Sequence, residues 1–491
     1  MSTPLPVSNP LPVSTPSPVS TPSSVLTLSP RNRLTWPLLV ILISAFVLRL
    51  FAAFWWEKRV ETAASNEKQN AEAKYTDGPF FFGDSDSYWK LGRALAFGRP
   101  YQFDPQRHWK IFRMPGYPAL LAPLFWLGGE NPPVFWGRLL GVLLGTLTVL
   151  FTFLLAWQLT TGRAVALLAA VIAAVDPTLI FQSILILSDE AFTAAMLIQL
   201  LLLVRFARLD GAQTGTKLLL GSALGFASAI TVYLRPGWLD FLPFAFILAG
   251  IFVLADALYP GILRHKTKFP LASICRRFAL PSVAAALIFA AAMAPWWLRN
   301  YRITGHFIAT TLQAGATLYD GLSPTATGAS NMSFVDTFRE STTRAILRES
   351  PQYTYPPVDD PAYEIKLDQA MKSASIDWVK SHPGEVLRLS VVKFCRLWNL
   401  WPNEPSFRSP PIRLAILLTY GPVLILSIFG AVRAFSKASA ARLLLFPALY
   451  ITCLHVIFVS SLRYRIPALP PLMILAAIWL VAFWRDRVKR A

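Results

Sequence analysis

The apolar residues of this chain run in long blocks, not in amphipathic stripes. Residues 36–56 carry a single charge, Arg49. A helix needs about 20 such residues to cross a hydrocarbon core of about 30 Å. Comparable blocks cover 134–158, 164–181, 184–204, 218–234, 239–258, 280–297, 414–434, 443–461 and 466–484, which with the first make ten. The pattern predicts an all-α polytopic membrane protein with about ten transmembrane helices. One further apolar stretch, MPGYPALLAPLFWLG at 114–128, is short and rich in proline, and reads as interfacial or re-entrant. Two large loops remain, at about 57–133 and 298–411. In the second, residues 377–402 set Trp378, Val379, Val386, Leu387, Val391, Phe394, Leu397 and Trp398 on one side, as in a helix lying in the membrane interface.

Composition agrees with a membrane chain. Hydrophobic residues make up 54% and charged residues 15%, against about 25% charged in a soluble domain. The net charge of +19 does not point to nucleic acid, because the cations flank the apolar blocks. Arg31 and Arg33 precede the first block. Arg205, Arg208 and Lys217 fall between the fourth and fifth. Arg264, His265, Lys266, Lys268, Arg276 and Arg277 fall between the sixth and seventh, and Arg433, Lys437 and Arg442 between the eighth and ninth. Arg485, Arg487, Lys489 and Arg490 follow the last. Short basic loops stay in the cytoplasm, so both termini are expected there and both large loops outside. Residues 2–30 repeat Pro-Val-Ser and Thr-Pro units, and residues 1–34 read as a disordered cytoplasmic tail. The cysteines Cys275, Cys395 and Cys453 show no metal spacing.

Chemistry on the expected outer side begins with acids. Asp84 and Asp86 lie in FFFGDSDSYWKLGRAL, and Asp189 and Glu190 in LILSDEAF. Carboxylates at a membrane surface suit proton abstraction from an acceptor, or metal binding; for either pair taken alone, a solvated loop or a helix cap is the simpler reading. Arginines join them: Arg113 in HWKIFRMPGYP, Arg235 in YLRPGW, Arg299 in PWWLRNY, and Arg463 and Arg465 in SSLRYRIP. Charge statistics disfavour cations on this side. Guanidinium forks suit a lipid phosphate, and the competing reading is snorkelling or cation–π contact with nearby Trp and Tyr. Trp296, Trp297, Trp398 and Trp401 read as interface anchors. His306 and His382 have no second ligand at metal spacing and receive no role.

In order and spacing, GDSDSYWKLGRAL, RMPGYPALLAPLFWLGG, LSDE, LRPGW, PWWLRNYRITG and RYRIPALPPL resemble the membrane-embedded C-type glycosyltransferases, in the group of protein O-mannosyltransferases and lipid A aminoarabinose transferases. The resemblance runs over roughly residues 35–330 and returns near 460–485. It implies a polyprenyl-phosphate sugar donor and inverting transfer on the non-cytoplasmic face. It implies a catalytic Asp84 four residues before Tyr88, with Asp86 as a second candidate. It also implies an acidic position at Asp189 or Glu190 and a donor-phosphate contact at Arg113. The family's acidic pair is often adjacent, whereas Ser85 separates Asp84 from Asp86 here.

The expected organisation is a tail at 1–34, a transmembrane catalytic module at 35–297 that includes outer loop 57–133, a non-cytoplasmic loop with an interfacial helix at 298–411, and transmembrane helices at 412–491. The expected catalytic residues are Asp84 and Asp86. The expected substrate-binding residues are Tyr88, Arg113, Asp189, Glu190, Arg235, Arg299, Arg463 and Arg465. No cofactor and no metal are expected, although a divalent ion would suit paired acids facing one cavity. The expected partners are the lipid-phosphate sugar, a lipid, protein or glycan acceptor, and the membrane, taken as a bacterial inner membrane. The alternative function is a transporter or flippase of lipid-linked sugars, which would call for charge at mid-depth and internal repeats.

Overall fold

The computed structural model describes residues 36–69, 83–102, 109–160, 162–209, 212–258, 271–349, 363–401, 409–436 and 440–490. The tail 1–34 and the basic residues Arg264, His265, Lys266 and Lys268 lie outside the described residues. The described helices belong to one unit, Trp36–Ala491, and no strand occurs among the described residues. α1 (Trp36–Gln69) is followed by α2 (Gly83–Ala96) and α3 (Gly116–Gly128). Next come α4 (Phe135–Thr160), α5 (Arg163–Val175), α6 (Pro177–Ile184), α7 (Ser188–Ala207) and α8 (Thr214–Leu234). α9 (Phe241–Leu258) and α10 (Leu271–Thr304) follow. The second large loop contains α11 (Ala314–Gly321), α12 (Phe334–Glu349), α13 (Tyr363–Ser381) and α14 (Pro383–Leu397). The last four helices are α15 (Pro410–Ser436), α16 (Phe446–Ile457), α17 (Leu462–Arg465) and α18 (Leu469–Val488).

Eight stretches among the described residues are long and apolar enough to cross a membrane: Trp36–Thr62, Phe135–Thr160, Ser188–Ala207, Thr214–Leu234, Phe278–Thr304, Pro410–Ser436, Ala440–Ile457 and Leu462–Val488. They coincide with eight of the ten apolar blocks. The block at 164–181 instead becomes α5 and α6, bent by 57°. The block at 239–258 gives a shorter apolar helix, Pro236–Phe252. Exposed Phe51, Leu287, Leu418 and Ile425 show that the outer helices turn apolar side chains outward, as lipid-facing helices do.

The bend after α5 has a local cause. Pro177 lacks the N–H that would bond the carbonyl of Ala173. The Thr178 N–H, which would serve Ala174, goes to the Asp176 carboxylate at 3.0 Å. Two carbonyls are thus left without helix partners. Arg49 supplies them from α1: Nη2 reaches Ala173 O and Nη1 reaches Ala174 O, each at 3.1 Å. The one charge in the first apolar block is therefore a helix cap supplied from a neighbouring helix.

Glycines set the closest helix contacts. A β-carbon on Gly221 or Gly225 would fall inside contact distance of the Pro281 or Ala285 carbonyl. Four-residue spacing of small residues lets α8 and α10 touch along their backbones. α3 has only 13 residues, about 20 Å at 1.5 Å per residue, so it is too short to cross. It buries Tyr117, Leu121 and Phe125 and leaves Trp126 and Leu127 exposed. The single helical return read over 377–402 is two helices, broken at His382. α14 exposes Leu387, Val391 and Phe394, and buries Leu389, Lys393 and Leu397.

Burial separates the spans into central and peripheral. In Ser188–Ala207 and Leu462–Val488, 67% of the apolar window is buried, against 17% in Phe278–Thr304. The two central spans carry Asp189 and Arg463 at their first turns.

Candidate functional site

Asp84 sits in the first turn of α2, where the helix dipole favours a carboxylate. Its Oδ1 accepts from Arg113 Nη2, and its Oδ2 accepts from Arg463 Nη1 at 3.0 Å. Arg463 also donates through Nε and Nη2 to Asp189 Oδ2, at 2.9 and 2.7 Å. Asp189 Oδ1 accepts from Arg235 Nη1. One chain of ion pairs thus runs Arg113, Asp84, Arg463, Asp189, Arg235. Residues far apart in sequence meet because Asp84, Asp189, Arg235 and Arg463 each lie at a helix end on the same side of the bundle, with Arg113 brought in by the chain before α3. Arg235 is the residue that caps the C-terminus of α8, next to Pro236. Ser461 caps α17 by accepting from Arg463 N at 3.4 Å.

Three guanidiniums face two carboxylates, which leaves the cluster one positive charge in excess. Asp189 is fully buried, whereas a third of the Asp84 side chain is open. Burial alone would raise the Asp84 carboxyl, but the charges of Arg113 and Arg463 outweigh it and hold that carboxyl well below its ordinary value. Aromatic rings fix the arginines. Arg113 lies 5.3 Å over Tyr88, and Arg235 lies over Phe192 and Tyr464 at 5.8 and 5.2 Å. Tyr88 OH and Ser188 Oγ are 3.2 Å apart, joining α2 to the start of α7. Behind Tyr464, His455 stacks on its ring at 4.3 Å.

Six of the ten expected site residues, Asp84, Tyr88, Arg113, Asp189, Arg235 and Arg463, therefore come together. The other four stand apart from the cluster. Asp86 lies two residues from Asp84 on a helix, about 200° around it, and pairs with Lys90 at 2.7 Å. Glu190 points into the bundle, where Thr148 Oγ1 donates to it at 2.6 Å. Arg299 donates to the carbonyls of Tyr101 and Lys110, at 3.3 and 3.0 Å. Arg465 is buried, lies 3.7 Å over the Tyr420 ring, and donates to the carbonyls of Leu397 and Asn399. These last two arginines brace loops through backbone carbonyls. The sequence did not single out Tyr464 or Thr148, and it read Ser188 only as a helix cap, whereas Ser188 is the first residue of α7 and meets Tyr88. Tyr464 could have been found from its place between two arginines in RYR; Thr148 left no signal. Among the described residues no group of three or more His, Cys, Asp or Glu side chains is arranged to hold a metal ion.

Residues 124–310 match the family model described as PMT, dolichyl-phosphate-mannose-protein mannosyltransferase. That segment includes Asp189, Glu190, Arg235 and Arg299. Among solved structures, the archaeal oligosaccharyltransferase AglB from Archaeoglobus fulgidus, in complex with an inhibitory peptide and a dolichol-phosphate, is similar with a TM-score of 0.52 at 14% identity. The match covers 93% of this chain and 52% of that one. The apo form of the same oligosaccharyltransferase gives a TM-score of 0.52 at 14% identity, over 94% of this chain and 52% of that one. The fold is that of the membrane-embedded C-type glycosyltransferases. The resemblance read from the sequence motifs therefore holds for the C-type fold, over nearly the whole chain, while the chain spans about half the length of AglB. ArnT from Cupriavidus metallidurans bound to undecaprenyl phosphate is a more distant structural neighbour, with a TM-score of 0.39 at 13% identity over 91% of this chain and 79% of that one. None of the curated proteins compared by sequence matches.

Proposed function

We propose that the protein is an inverting glycosyltransferase, moving a sugar from a polyprenyl-phosphate donor to an acceptor on the non-cytoplasmic face of a membrane. The observation that carries this reading is the single cluster in which Arg463 bridges Asp84 and Asp189. Its excess positive charge sits at one end of a helix bundle, the end that the charge pattern assigns to the outer surface. Donor binding places the phosphate against Arg113, Arg235 and Arg463. Forked guanidiniums match its oxygens. As the arginines turn to the phosphate, Asp84 loses ion-pair partners, its carboxyl becomes more basic, and it takes the proton from the acceptor hydroxyl or amine. The acceptor attacks the anomeric carbon from the face opposite the phosphate, the glycosidic C–O bond breaks, and the bond electrons leave with the prenyl phosphate. Fixed cations aimed at that departing charge lower the barrier. Asp189 stays buried and holds Arg235 and Arg463 in place.

No metal enters this reading, because the arginines already engage the oxygens of both carboxylates. Turnover is expected to survive a strong chelator. Loss of activity on chelation, restored by a divalent ion, would contradict that part. The acceptor's class (lipid, protein or glycan) is left open. A transporter would use charge at mid-depth, and the buried Arg49 invites that reading. It is fully buried and committed to the Ala173 and Ala174 carbonyls. The test of the reading is transfer from labelled prenyl-phosphate sugars by purified protein, with Asp84→Asn as control.

A further inference from the structure

Arg113 has no regular helix or strand to hold it. It ends a short irregular stretch, residues 109–113, in which residues 110–113 form a bend. The four backbone groups of Lys110 and Ile111 are nevertheless all engaged by distant parts of the chain. The N–H groups of Lys110 and Ile111 both donate to Glu364 Oε2, at 3.0 and 3.1 Å. The Lys110 carbonyl accepts from Arg299 Nη2 at 3.0 Å, and the Ile111 carbonyl accepts from Leu312 N at 3.1 Å. The Ile111 side chain is fully buried among Trp296, Ile308 and Ile365. Glu364, on the first turn of α13, is itself buried.

We propose that Glu364 is a positioning residue: its carboxylate clamps the Lys110–Ile111 backbone from the second large loop and thereby aims Arg113 at the donor phosphate. The inference rests on the reading of Arg113 as a phosphate contact. Only one group ties the two neighbouring N–H donors, and they are separated from it by some 250 residues of chain. Two residues beyond Ile111, Arg113 reaches Asp84. Removing the carboxylate frees both N–H groups and lets the arginine swing.

The clamp also titrates. Burial pushes the Glu364 carboxyl up to about 7, opposed by the Lys110 and Ile111 N–H bonds and then by the charges of Arg299 and Lys110. Above that pH the carboxylate charge strengthens both N–H bonds to Oε2; below it the neutral acid is a weaker acceptor and the clamp loosens. Prenyl-phosphate binding should therefore tighten as pH rises through about 7.

The experiment measures the Kd of undecaprenyl phosphate for full-length protein in nanodiscs, between about pH 6 and 8.5. The proteins are wild type, Glu364→Gln, Glu364→Ala, Arg113→Lys and the Glu364→Ala/Arg113→Lys double variant. Amide exchange of residues 109–113 is followed in the same samples. The ligand's own second ionisation, at about pH 6, gives every variant a common pH dependence. Expected are an additional step near pH 7 in wild type, only the common dependence in Glu364→Gln, and a loss of about tenfold in Glu364→Ala that shrinks to under about twofold in the Arg113→Lys background. Equal losses in both backgrounds would make Glu364 a merely structural residue and overturn the proposal, as would an unchanged Kd in Glu364→Ala. If wild type does not bind undecaprenyl phosphate, it is the donor reading that fails. Exchange then judges the clamp: faster exchange at Lys110 and Ile111 in Glu364→Ala supports it, and equal protection overturns it.

Discussion

Arg463 is the residue on which the site turns, since it alone bonds both aspartates. Arg463→Ala leaves Asp189, which has no exposure, with Arg235 alone. Removing one partner from a buried ion pair costs on the order of 3 kcal/mol, so the melting temperature should fall along with turnover. Arg463→Lys keeps the charge but cannot span two carboxylates with one fork. It should retain most of the stability and lose about 10²-fold in turnover, which steady-state kinetics beside a melting curve will separate. A pH test follows from Asp84. Its carboxyl is held low in the folded protein, so the ionised form contributes stability above the unfolded value of about 4. That contribution fades as pH falls below this value toward the folded one. The stability deficit of Asp84→Asn should accordingly be full at neutral pH and narrow below about pH 4, as measured by thermal unfolding across pH. Asp84, Asp189 and the three arginines were legible in the sequence because their charge contradicts their neighbourhood. Glu364 was not, since it lies among other acids in a polar loop and nothing local marks it as buried.

At the scale of elements, eight of the ten apolar blocks were legible directly, because an uninterrupted run of apolar side chains has one stable answer in lipid. The bend in the 164–181 block was written in Asp176-Pro177, but its consequence depended on Arg49 from another helix. Arg49 looked like an isolated charge, whereas it serves two carbonyls freed by the proline. Replacing it with Met leaves both without a partner, at about 1–3 kcal/mol for each buried group. A lowered melting temperature with unchanged total helix content by circular dichroism is the expected result. The α8–α10 contact makes a second prediction. Gly225→Val places branched carbons where the Ala285 carbonyl lies, so the two helices must part. Loss of stability should be large, while the same change at Gly250, with open space around it, should be mild.

For the whole molecule, the ion-pair chain fixes which helix ends share a side. The starts of α2, α7 and α17 and the end of α8 meet at one end of the bundle. The charge pattern assigns that end to the outside and the termini to the inside. In a cysteine-free background, a membrane-impermeant maleimide added to intact cells should label Asp86→Cys and leave Arg490→Cys unlabelled; the reverse would invert the topology. The central claim, transfer from a lipid phosphate through the Asp84–Arg463–Asp189 cluster, has a direct measurement. Purified protein in nanodiscs is given prenyl-phosphate sugars carrying a radiolabel, with membrane extract as acceptor, and label movement is followed for wild type and for Asp84→Asn at equal folded protein. The account predicts transfer by wild type and a loss of about 10²-fold or more in the variant. Undiminished transfer by Asp84→Asn would contradict it.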